Sequence, residues 1–486
     1  MIELPIIDFR QVRYIKTQLF ILTHQKINLF TVSSNLFKFT IVLAVLCIFV
    51  VDLQAQRRMS YPELAARSRN PLLYLDQNVL PPTDGDSPRL VMGFRIAYEH
   101  LAFRKADDGT YFSDASIGIE LFEGEPRRRG RQLSVEGLIP VKRSFWRKKA
   151  EASSYEETKK ATNFLNGSLQ MELEPGVYTY AVSIDIDGTR RNLGNTVRRL
   201  VVPDFKEPGK AQVYYLNTSG NDAWPAEVEL ISMGQSVNYA TDFTALVQLP
   251  DGDAYSVIID RMEIRSRDTT RVETVFRTEI TEAMIADNML VKASPDSGRL
   301  VFRLQPGEGR FRYAWVQIPN SQFPNANYRL RILKNDRDPA GERFFRNLWL
   351  DMPVSLLNLD TAIEMLRFIA DRDQIREMRR GSDAEKEQKF RAFWDKRNPT
   401  PDTEYNELMA EYYRRIDYSF ENFSTPNVPG YDSDQGKIYI THGEPVRIRR
   451  SFPVNEPARE VWEYPEQSFV FVARTGFGDF ELVGRQ

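Results

Sequence analysis

An alternation of apolar and other residues dominates the chain between residues 90 and about 350. It is clearest over 90–98, where every second residue is apolar, and it returns over 117–121, 169–173 and 178–186. A period of two residues is typical of a half-buried β-strand. Turn signals such as Pro175-Gly176 and Asp251-Gly252 separate these runs. Many short strands without intervening helices predict antiparallel β-sandwiches.

Two segments resemble one corner of known sandwich folds. One is Leu173-Glu174-Pro175-Gly176-Val177-Tyr178. It resembles the corner of fibronectin-like and immunoglobulin-like sandwiches, in which a Tyr hydroxyl forms a hydrogen bond with the preceding backbone. A related segment is Phe323-Pro324-Asn325-Ala326-Asn327-Tyr328, and a candidate strand ends 25 residues after each Tyr. The two corners predict two sandwiches repeated along the chain, with chance similarity as the alternative.

The apolar period changes from two to 3.6 after Pro353, which predicts helices. The first has Thr361 and Glu364 in capping-box spacing and an apolar face that includes Ile369. The second begins at Ser382 with Glu385 three residues later, and the third is predicted to begin at Thr400-Pro401. The predicted core face of the third helix consists of Tyr405, Leu408, Met409, Tyr412, Ile416 and Phe420.

Short strands are predicted after these helices, at 437–440, 460–464, 468–473 and near 480–483. The predicted fold class is therefore multidomain and mainly β. Two immunoglobulin-like or fibronectin-like β-sandwiches precede an α+β C-terminal domain made of helices and a small antiparallel sheet. The predicted segments are an N-terminal extension with a signal peptide (1–55), a lead-in segment (56–87), sandwich 1 (88–205), sandwich 2 (206–353) and the C-terminal domain (354–486).

The N-terminus indicates export. Residues 39–51 form an uncharged apolar run of 13 residues, preceded by Lys38, and Ala55 offers a small residue for cleavage. The run is short for a membrane span and fits the apolar part of a signal peptide near 36–55. We therefore expect a periplasmic or cell-surface protein. An uncleaved N-terminal anchor and a lipoprotein acylated at Cys47 are the alternatives.

Composition excludes several classes of function. The chain has 65 basic and 67 acidic residues, so no domain-wide basic footprint suggests nucleic-acid binding. Cys47 is the single cysteine, and cleavage after Ala55 would remove it and with it any disulfide or thiolate zinc site. Three histidines without an HExxH motif, and no Gly-x-Ser-x-Gly elbow, indicate neither a metal nor a cofactor.

Carboxylates and arginines are the better candidates for chemistry. The set consists of Asp395, Arg397, Glu407, Glu411, Arg414, Arg415 and Asp434. If these side chains met in a cleft, carboxylates with shifted pKa values could act as general acids or bases. The favoured interpretation is structural, because Arg–carboxylate pairs commonly fix helices to loops. His442 is interpreted as a turn residue after a strand, with a general base as the alternative.

The densest motifs lie in the last quarter of the chain. Their order is Phe393-Trp394 with Arg397 and Pro399-Thr400-Pro401, then Asn406-Glu407, Arg415, Gly430-Tyr431-Asp432-Ser433-Asp434 and Gly443-Glu444-Pro445. This order resembles the GWxTD domain of exported bacterial proteins. The resemblance implies no established activity. It marks Trp394, Arg397, Glu407, Arg415, Gly430, Tyr431, Asp434, Gly443 and Pro445 as binding or structural residues.

The chain departs from the pattern that the resemblance implies at four positions. Tyr431 replaces the naming Trp and Ser433 replaces Thr, so the aromatic ring and the hydroxyl are kept. Asn398 replaces the usual Asp, and Gln435 replaces a common Arg. Without that acid and that base, positions 398 and 435 are poor candidates for an acid–base pair. We expect Tyr431 to pack on Phe393, Trp394 and Tyr412, and we expect Asp434 to bind Arg397 or Arg415.

These observations favour a non-catalytic envelope or secreted protein that binds another envelope protein or a glycan. The alternative is a hydrolase or transferase that uses the carboxylate–arginine set. No nucleic-acid partner is expected, and a membrane is expected only through an uncleaved N-terminal segment.

Overall fold

The computed structural model of the protein describes residues 70–485 except 84, 86, 131, 188, 193–196, 207–208, 218–223, 267–268, 297, 454–455 and 474–477, together with Tyr61, Glu63 and Leu64. The predicted apolar run 39–51, the cleavage site at Ala55 and Cys47 lie outside these residues.

Strands occupy most of the chain before residue 350. Those before residue 206 are β1 (Leu73–Leu80), β2 (Arg89–Ala97), β3 (Arg104–Lys105), β4 (Tyr111–Glu123), β5 (Arg127–Arg129), β6 (Gln132–Ser134), β7 (Ile139–Ala152), β8 (Phe164–Glu172), β9 (Gly176–Ile186), β10 (Thr189–Asn192) and β11 (Arg198–Val202). Those that follow are β12 (Gln212–Asn217), β13 (Glu227–Glu229), β14 (Ser236–Asn238), β15 (Phe243–Leu249), β16 (Tyr255–Ser266), β17 (Thr269–Glu279), β18 (Ile285–Asp296), β19 (Arg299–Pro306), β20 (Phe311–Ile318), β21 (Asn327–Lys334) and β22 (Asp338–Leu348).

The strands form four stacked sheets. In sheet I, β4 lies between β9 and β7, β3 pairs with the start of β4, and β10 and β11 pair with the far side of β9. Sheet II has the order β1-β2-β8, sheet III the order β12-β15-β20-β18-β19-β13, and sheet IV the order β14-β22-β21-β16-β17. The pairing is antiparallel apart from β14 with β22. Strand β1 lies within the predicted lead-in segment, and β5 pairs with β6 in a two-stranded ribbon apart from these four sheets.

Sheet II is buried on both faces. Leu75 and Met92 pack against sheet I, whereas Leu80 and Val91 point the other way and pack with Tyr214 of sheet III. A second face of sheet III packs on sheet IV. The two predicted sandwiches therefore share an apolar core, and the described residues form one compact unit. The predicted domain boundaries and the immunoglobulin-like detail stay predictions.

Polar contacts reinforce the junction of sheets II and III. Asp76 is 2% exposed, and its carboxylate accepts hydrogen bonds from the backbone nitrogens of Gly234 and Gln235, both at 2.6 Å. Burial raises the pKa of Asp76, while the charge of Arg343 and the backbone donors act against it. The Tyr214 hydroxyl donates to the Val79 carbonyl at 2.7 Å. These bonds satisfy polar groups that would otherwise be buried unpaired.

Both predicted corner tyrosines make the expected bond. The Tyr178 hydroxyl donates to the Glu174 carbonyl at 3.0 Å, and the Tyr328 hydroxyl donates to the Pro324 carbonyl at 2.8 Å. In each half the tyrosine strand pairs antiparallel with a later strand, β9 with β11 and β21 with β22.

Helices follow from residue 354, as the change of period predicts. They are α1 (Leu359–Met365), α2 (Arg372–Met378), α3 (Asp383–Asp395), α4 (Glu407–Phe423) and α5 (Asp434–His442), and the last strands are β23 (Arg447–Ser451), β24 (Arg459–Glu463), β25 (Ser468–Ala473) and β26 (Phe480–Arg485). The four strands form one antiparallel sheet in chain order. The chain is thus mainly β with a C-terminal region of helices and a small sheet.

The predicted capping box at Ser382 and Glu385 is confirmed. Three other local predictions are wrong. The first helix is capped by Asn358 rather than Thr361, because the Asn358 side chain accepts from the Thr361 nitrogen. The third helix begins at Glu407 under an Asn406 cap and not at Thr400. Residues 437–440 lie in α5 and not in a strand, so His442 ends a helix.

Two residues assigned to core faces are exposed, Leu408 at 49% and Ile369 at 43%. The α4 core contains the predicted Tyr412 and Ile416 together with Ala410 and Tyr413. Among the helices that the structure describes, none is long and apolar enough to cross a membrane.

Candidate functional site

The Gly-Tyr-Asp-Ser-Asp segment forms the turn between α4 and α5. A Cβ atom added at Gly430 would lie 1.9 Å from the Ser419 carbonyl oxygen on α4. One added at Gly436 would lie 1.8 Å from the Gly430 carbonyl oxygen. Both distances are far below van der Waals contact, so only glycine lets the helix, the turn and α5 approach this closely.

Ser433 begins α5 by capping it. Its hydroxyl oxygen accepts from the Gly436 nitrogen at 2.9 Å and donates to the Gly430 carbonyl at 2.7 Å. A Thr hydroxyl would make the same bonds, so the replacement noted in the sequence keeps the architecture.

Asp434 does not bind an arginine. Its carboxylate accepts from Lys437 Nζ at 3.2 Å and from the Leu482 nitrogen at 3.0 Å. The predicted contact with Arg397 or Arg415 is wrong because the first turn of α5 lies against β26.

Tyr431 packs elsewhere than predicted. Its ring stacks on Phe420 with centroids 5.9 Å apart and lies 6.2 Å from the ring of Tyr61, while the Arg367 guanidinium covers it at 5.4 Å. Phe420 lies about 12 Å along α4 from Tyr412. Tyr431 therefore packs against the same apolar core as Trp394 and Tyr412, but its ring contacts are with Phe420 and Tyr61. Tyr412 instead contacts Trp394 at 5.5 Å.

The motif around Trp394 builds the connection from α3 to α4. Trp394 is 2% exposed, and its carbonyl accepts from Asn406 Nδ2 at 3.0 Å while Asn406 caps α4. Asn398 Oδ1 accepts from the Thr400 nitrogen at 3.0 Å, a bond that Asp would also make. Glu407 accepts from the Thr400 hydroxyl at 2.6 Å. These residues fold a loop at 396–406 where the sequence predicted the start of a helix.

Gly443 ends α5 with φ +79°, a conformation that favours glycine. A Cβ atom here would also lie 3.0 Å from the Arg415 guanidinium. The Tyr464 hydroxyl donates to the Gly443 carbonyl at 2.9 Å, and Pro445 lines a cavity of about 290 Å³ beside the small sheet. His442 is exposed as a whole, but partial desolvation of its ring lowers its pKa. The charges of Arg485 and Arg415 lower it further.

The carboxylate–arginine set does not converge. Arg415 pairs with Glu411 at 2.8 Å on α4, and Arg414 pairs with Asp351 at 3.1 Å. Arg397 stacks over the Phe393 ring at 3.8 Å and donates to the Phe393 carbonyl. Since these groups, Glu407 and Asp434 each bond to a different neighbour, they form no shared acid–base centre.

Sequence reasoning missed a partly buried carboxylate on α4, Asp417. Asp417 accepts from the Val354 nitrogen at 2.6 Å and from the Ser355 hydroxyl at 2.8 Å. Burial raises its pKa from 3.8 to about 6, although these donors and Tyr61 act against the shift. Tyr61 is 6% exposed, and its ring centroid lies 4.1 Å from that of Phe420. Burial raises the pKa of Tyr61, and the charge of Asp417 raises it further. Asp417 thus joins α4 to the chain leaving sheet IV.

A cleft of about 670 Å³ lies between sheet IV and the helices. Its apolar side chains include Met352, Leu356, Leu359, Phe390, Trp394 and Met409, and polar side chains make up about half of the lining. Polar side chains at the same cleft include Arg391, which pairs with Glu387 at 3.0 Å and with Glu404 at 3.4 Å. A cleft of this size where two packed parts of a chain meet is a common place for a ligand site.

Aromatic rings hold one side of this cleft. The Tyr239 ring stacks on Trp349 with centroids 5.3 Å apart, and Tyr405 meets Trp349 edge-on at 5.3 Å. The Tyr239 hydroxyl donates to the Glu404 carbonyl at 2.9 Å, and the Glu404 nitrogen donates to the Ser321 carbonyl at 2.9 Å. The loop at 396–406 is therefore fixed to the sheet.

Of the predicted site residues, Trp394 lines the cleft and Pro445 lines the smaller cavity. Arg397, Glu407, Arg415, Gly430, Tyr431, Asp434 and Gly443 make the local contacts described above. The apolar cleft residues carry no sequence signal of their own, because they read as ordinary helix core.

Comparison with known proteins agrees with the motif geometry. The sequence model of the GWxTD domain matches residues 353–479. A search of curated proteins found no match. Among solved structures, collagen adhesin (CNA) from S. aureus is 9% identical, with 56% of this chain and 90% of the adhesin covered and a TM-score of 0.11. That score is too low to carry an argument. The chain therefore contains a GWxTD domain at residues 353–479.

Proposed function

We propose that this protein is a non-catalytic, exported protein of the bacterial envelope or cell exterior that binds another protein or a glycan. The apolar run at 39–51 followed by Ala55 supports export. The binding site we propose is the cleft between sheet IV and the GWxTD domain.

The cleft is the single observation that carries this proposal. Its lining is mixed, and apolar side chains such as the partly exposed Leu356 and Leu359 lie beside the charged group of Arg391, Glu387 and Glu404. Apolar area supplies affinity, and a few polar groups at the margin fix orientation. A hydrolase or transferase is the weaker alternative, since the carboxylates and arginines suggested for it are paired separately.

A pair of variants tests the cleft. Leu356→Arg places a charge in it, whereas Leu408→Arg makes the same change on the surface of α4 outside the cleft lining. Envelope extracts and a glycan panel are passed over each protein beside the wild type, after melting curves show that all three are folded.

We expect the wild type and Leu408→Arg to retain the same partner and Leu356→Arg to lose it. Equal retention by both variants would contradict the cleft as the site. Turnover in a parallel hydrolase substrate panel that Asp434→Asn abolishes without unfolding would favour the enzyme instead.

A further inference from the structure

Positive charge is concentrated along one edge of sheet I and in the β5–β6 ribbon. Residues 125–151 contain nine basic and three acidic residues, whereas the whole chain has a net charge of −2. This segment comprises the β5–β6 ribbon and the edge strand β7. The proposed function does not account for this asymmetry, since the cleft lies in the C-terminal half of the chain.

The basic side chains are exposed and only partly neutralised. All of β5 is exposed, and β7 is exposed over most of its length. Arg129 pairs with Glu136 at 3.5 Å, and Arg143 pairs with Glu120. Within the described chain, Arg127 and Arg128 have no carboxylate partner. Such charges produce a local positive potential that neighbouring acids do not cancel.

Large apolar side chains are exposed among these charges. Ile139 and Phe145 are each 68% exposed, Val141 is 45% exposed and Leu133 is 37% exposed. Phe145 lies on the outer face of sheet I, where its ring atoms come within 3.0–3.3 Å of the position that a Cβ of Gly118 would take. The glycine leaves room for the ring on the sheet surface.

Charge on an edge strand has an ordinary explanation, because Lys, Arg and Pro prevent edge-to-edge aggregation. That explanation accounts for Pro140 and Lys142 but not for Ile139 and Phe145. Exposed apolar side chains would make aggregation worse if nothing covered them. Basic and apolar side chains together are complementary to a partner surface that has anionic groups on the outside and apolar groups beneath them.

We propose that the β5–β6 ribbon and residues 139–145 form a contact surface for an anionic lipid bilayer. The arginines would meet the headgroups, and Leu133, Ile139, Val141 and Phe145 would enter the interface. The proposal is independent of the cleft, so either can fail without the other.

Hydrogen exchange on the full chain provides a local test. Vesicles of phosphatidylcholine alone are compared with vesicles containing about one third phosphatidylglycerol. We expect slower exchange at residues 127–147 only with the anionic vesicles. This readout is insensitive to any vesicle binding by the apolar run at 39–51. Unchanged exchange, or equal protection by both vesicles, would overturn the proposal.

Variants separate lipid from other partners. Arg127→Glu with Arg128→Glu should weaken binding to anionic vesicles by about tenfold or more. Arg376→Glu in α2 with Arg380→Glu just after it, both at exposed side chains, changes net charge equally and should have no effect on the protection at 127–147. Ile139→Ser with Phe145→Ser should reduce binding while the charge stays the same. Full binding by this last variant would indicate a purely ionic or protein partner and contradict insertion.

Discussion

The Asp417 carboxylate accepts a hydrogen bond from the Val354 backbone nitrogen at 2.6 Å, which ties α4 of the GWxTD domain to the chain leaving sheet IV. The Ser355 hydroxyl adds a second bond at 2.8 Å. These donors are uncharged, so hydrogen bonds stabilise the Asp417 charge within a partly buried site.

This site should make stability depend on pH. The pKa of Asp417 rises from 3.8 in an unfolded chain to about 6 in the folded protein, so proton uptake favours folding. The stabilisation is fully present below about pH 4 and is lost as pH rises through about 6. Asp417→Asn removes this titration. Glu421, whose pKa burial also raises, remains in both proteins.

Chemical denaturation of the wild type and Asp417→Asn at several pH values measures the effect. The wild type should lose on the order of 2 kcal/mol relative to the variant between pH 4 and pH 7. A difference that stays constant over this range would show that Asp417 titrates normally.

Gly430→Ala should destabilise the protein strongly. The new methyl group would lie 1.9 Å from the Ser419 carbonyl oxygen, which belongs to the backbone of α4 and cannot rotate away. We expect a loss of about 3 kcal/mol in the free energy of unfolding. Gly252→Ala is the matched control, since its nearest atom is the flexible Arg312 guanidinium at 3.4 Å. Similar denaturation midpoints for the two variants would refute the close approach.

Ser433→Ala should cost more than Asp434→Ala. The Ser433 hydroxyl caps α5 and also bonds to the Gly430 carbonyl, so its loss should cost about 1 kcal/mol or somewhat more. Asp434 pairs with Lys437 and accepts one bond from the Leu482 nitrogen, both exposed, so its loss should cost less than about 1 kcal/mol. Melting temperatures rank the two variants, and the reverse order would restore Asp434 as a buried anchor.

Asp76→Ala should loosen the junction of sheets II and III. The backbone nitrogens of Gly234 and Gln235 would lose their acceptor in a buried site, and Arg343 would lose a nearby negative charge. We expect a loss of about 3 kcal/mol. Asp107→Ala removes an exposed acid and serves as the control. Equal unfolding free energies would mean that apolar packing alone joins the sheets.

Local pattern predicted much of this fold. The alternation at 90–98 identified β2, the Ser382 spacing identified the start of α3, and the Pro-Gly corner identified the Tyr178 bond. Each of these depends on residues that are close in sequence.

Predictions failed where distant contacts decide the outcome. Residues 437–440 contain two isoleucines and a tyrosine, which favour strands, yet the Ser433 cap and the packing of Ile440 make them helical. Tyr431 and Asp434 were given wrong partners because Tyr61 and Leu482 lie far away in the sequence. The cleft depends on how α3 and its following loop meet sheet IV, which no local pattern contains.

Site-specific photocrosslinking in cells tests the central claim most directly. A photoreactive amino acid replaces Glu387 at the cleft or Leu408 on the outer surface of α4, and adducts are identified by mass spectrometry. The account predicts a discrete protein or glycan adduct from position 387 that position 408 does not yield. No adduct from 387, or the same adducts from both positions, would contradict a binding site in the cleft.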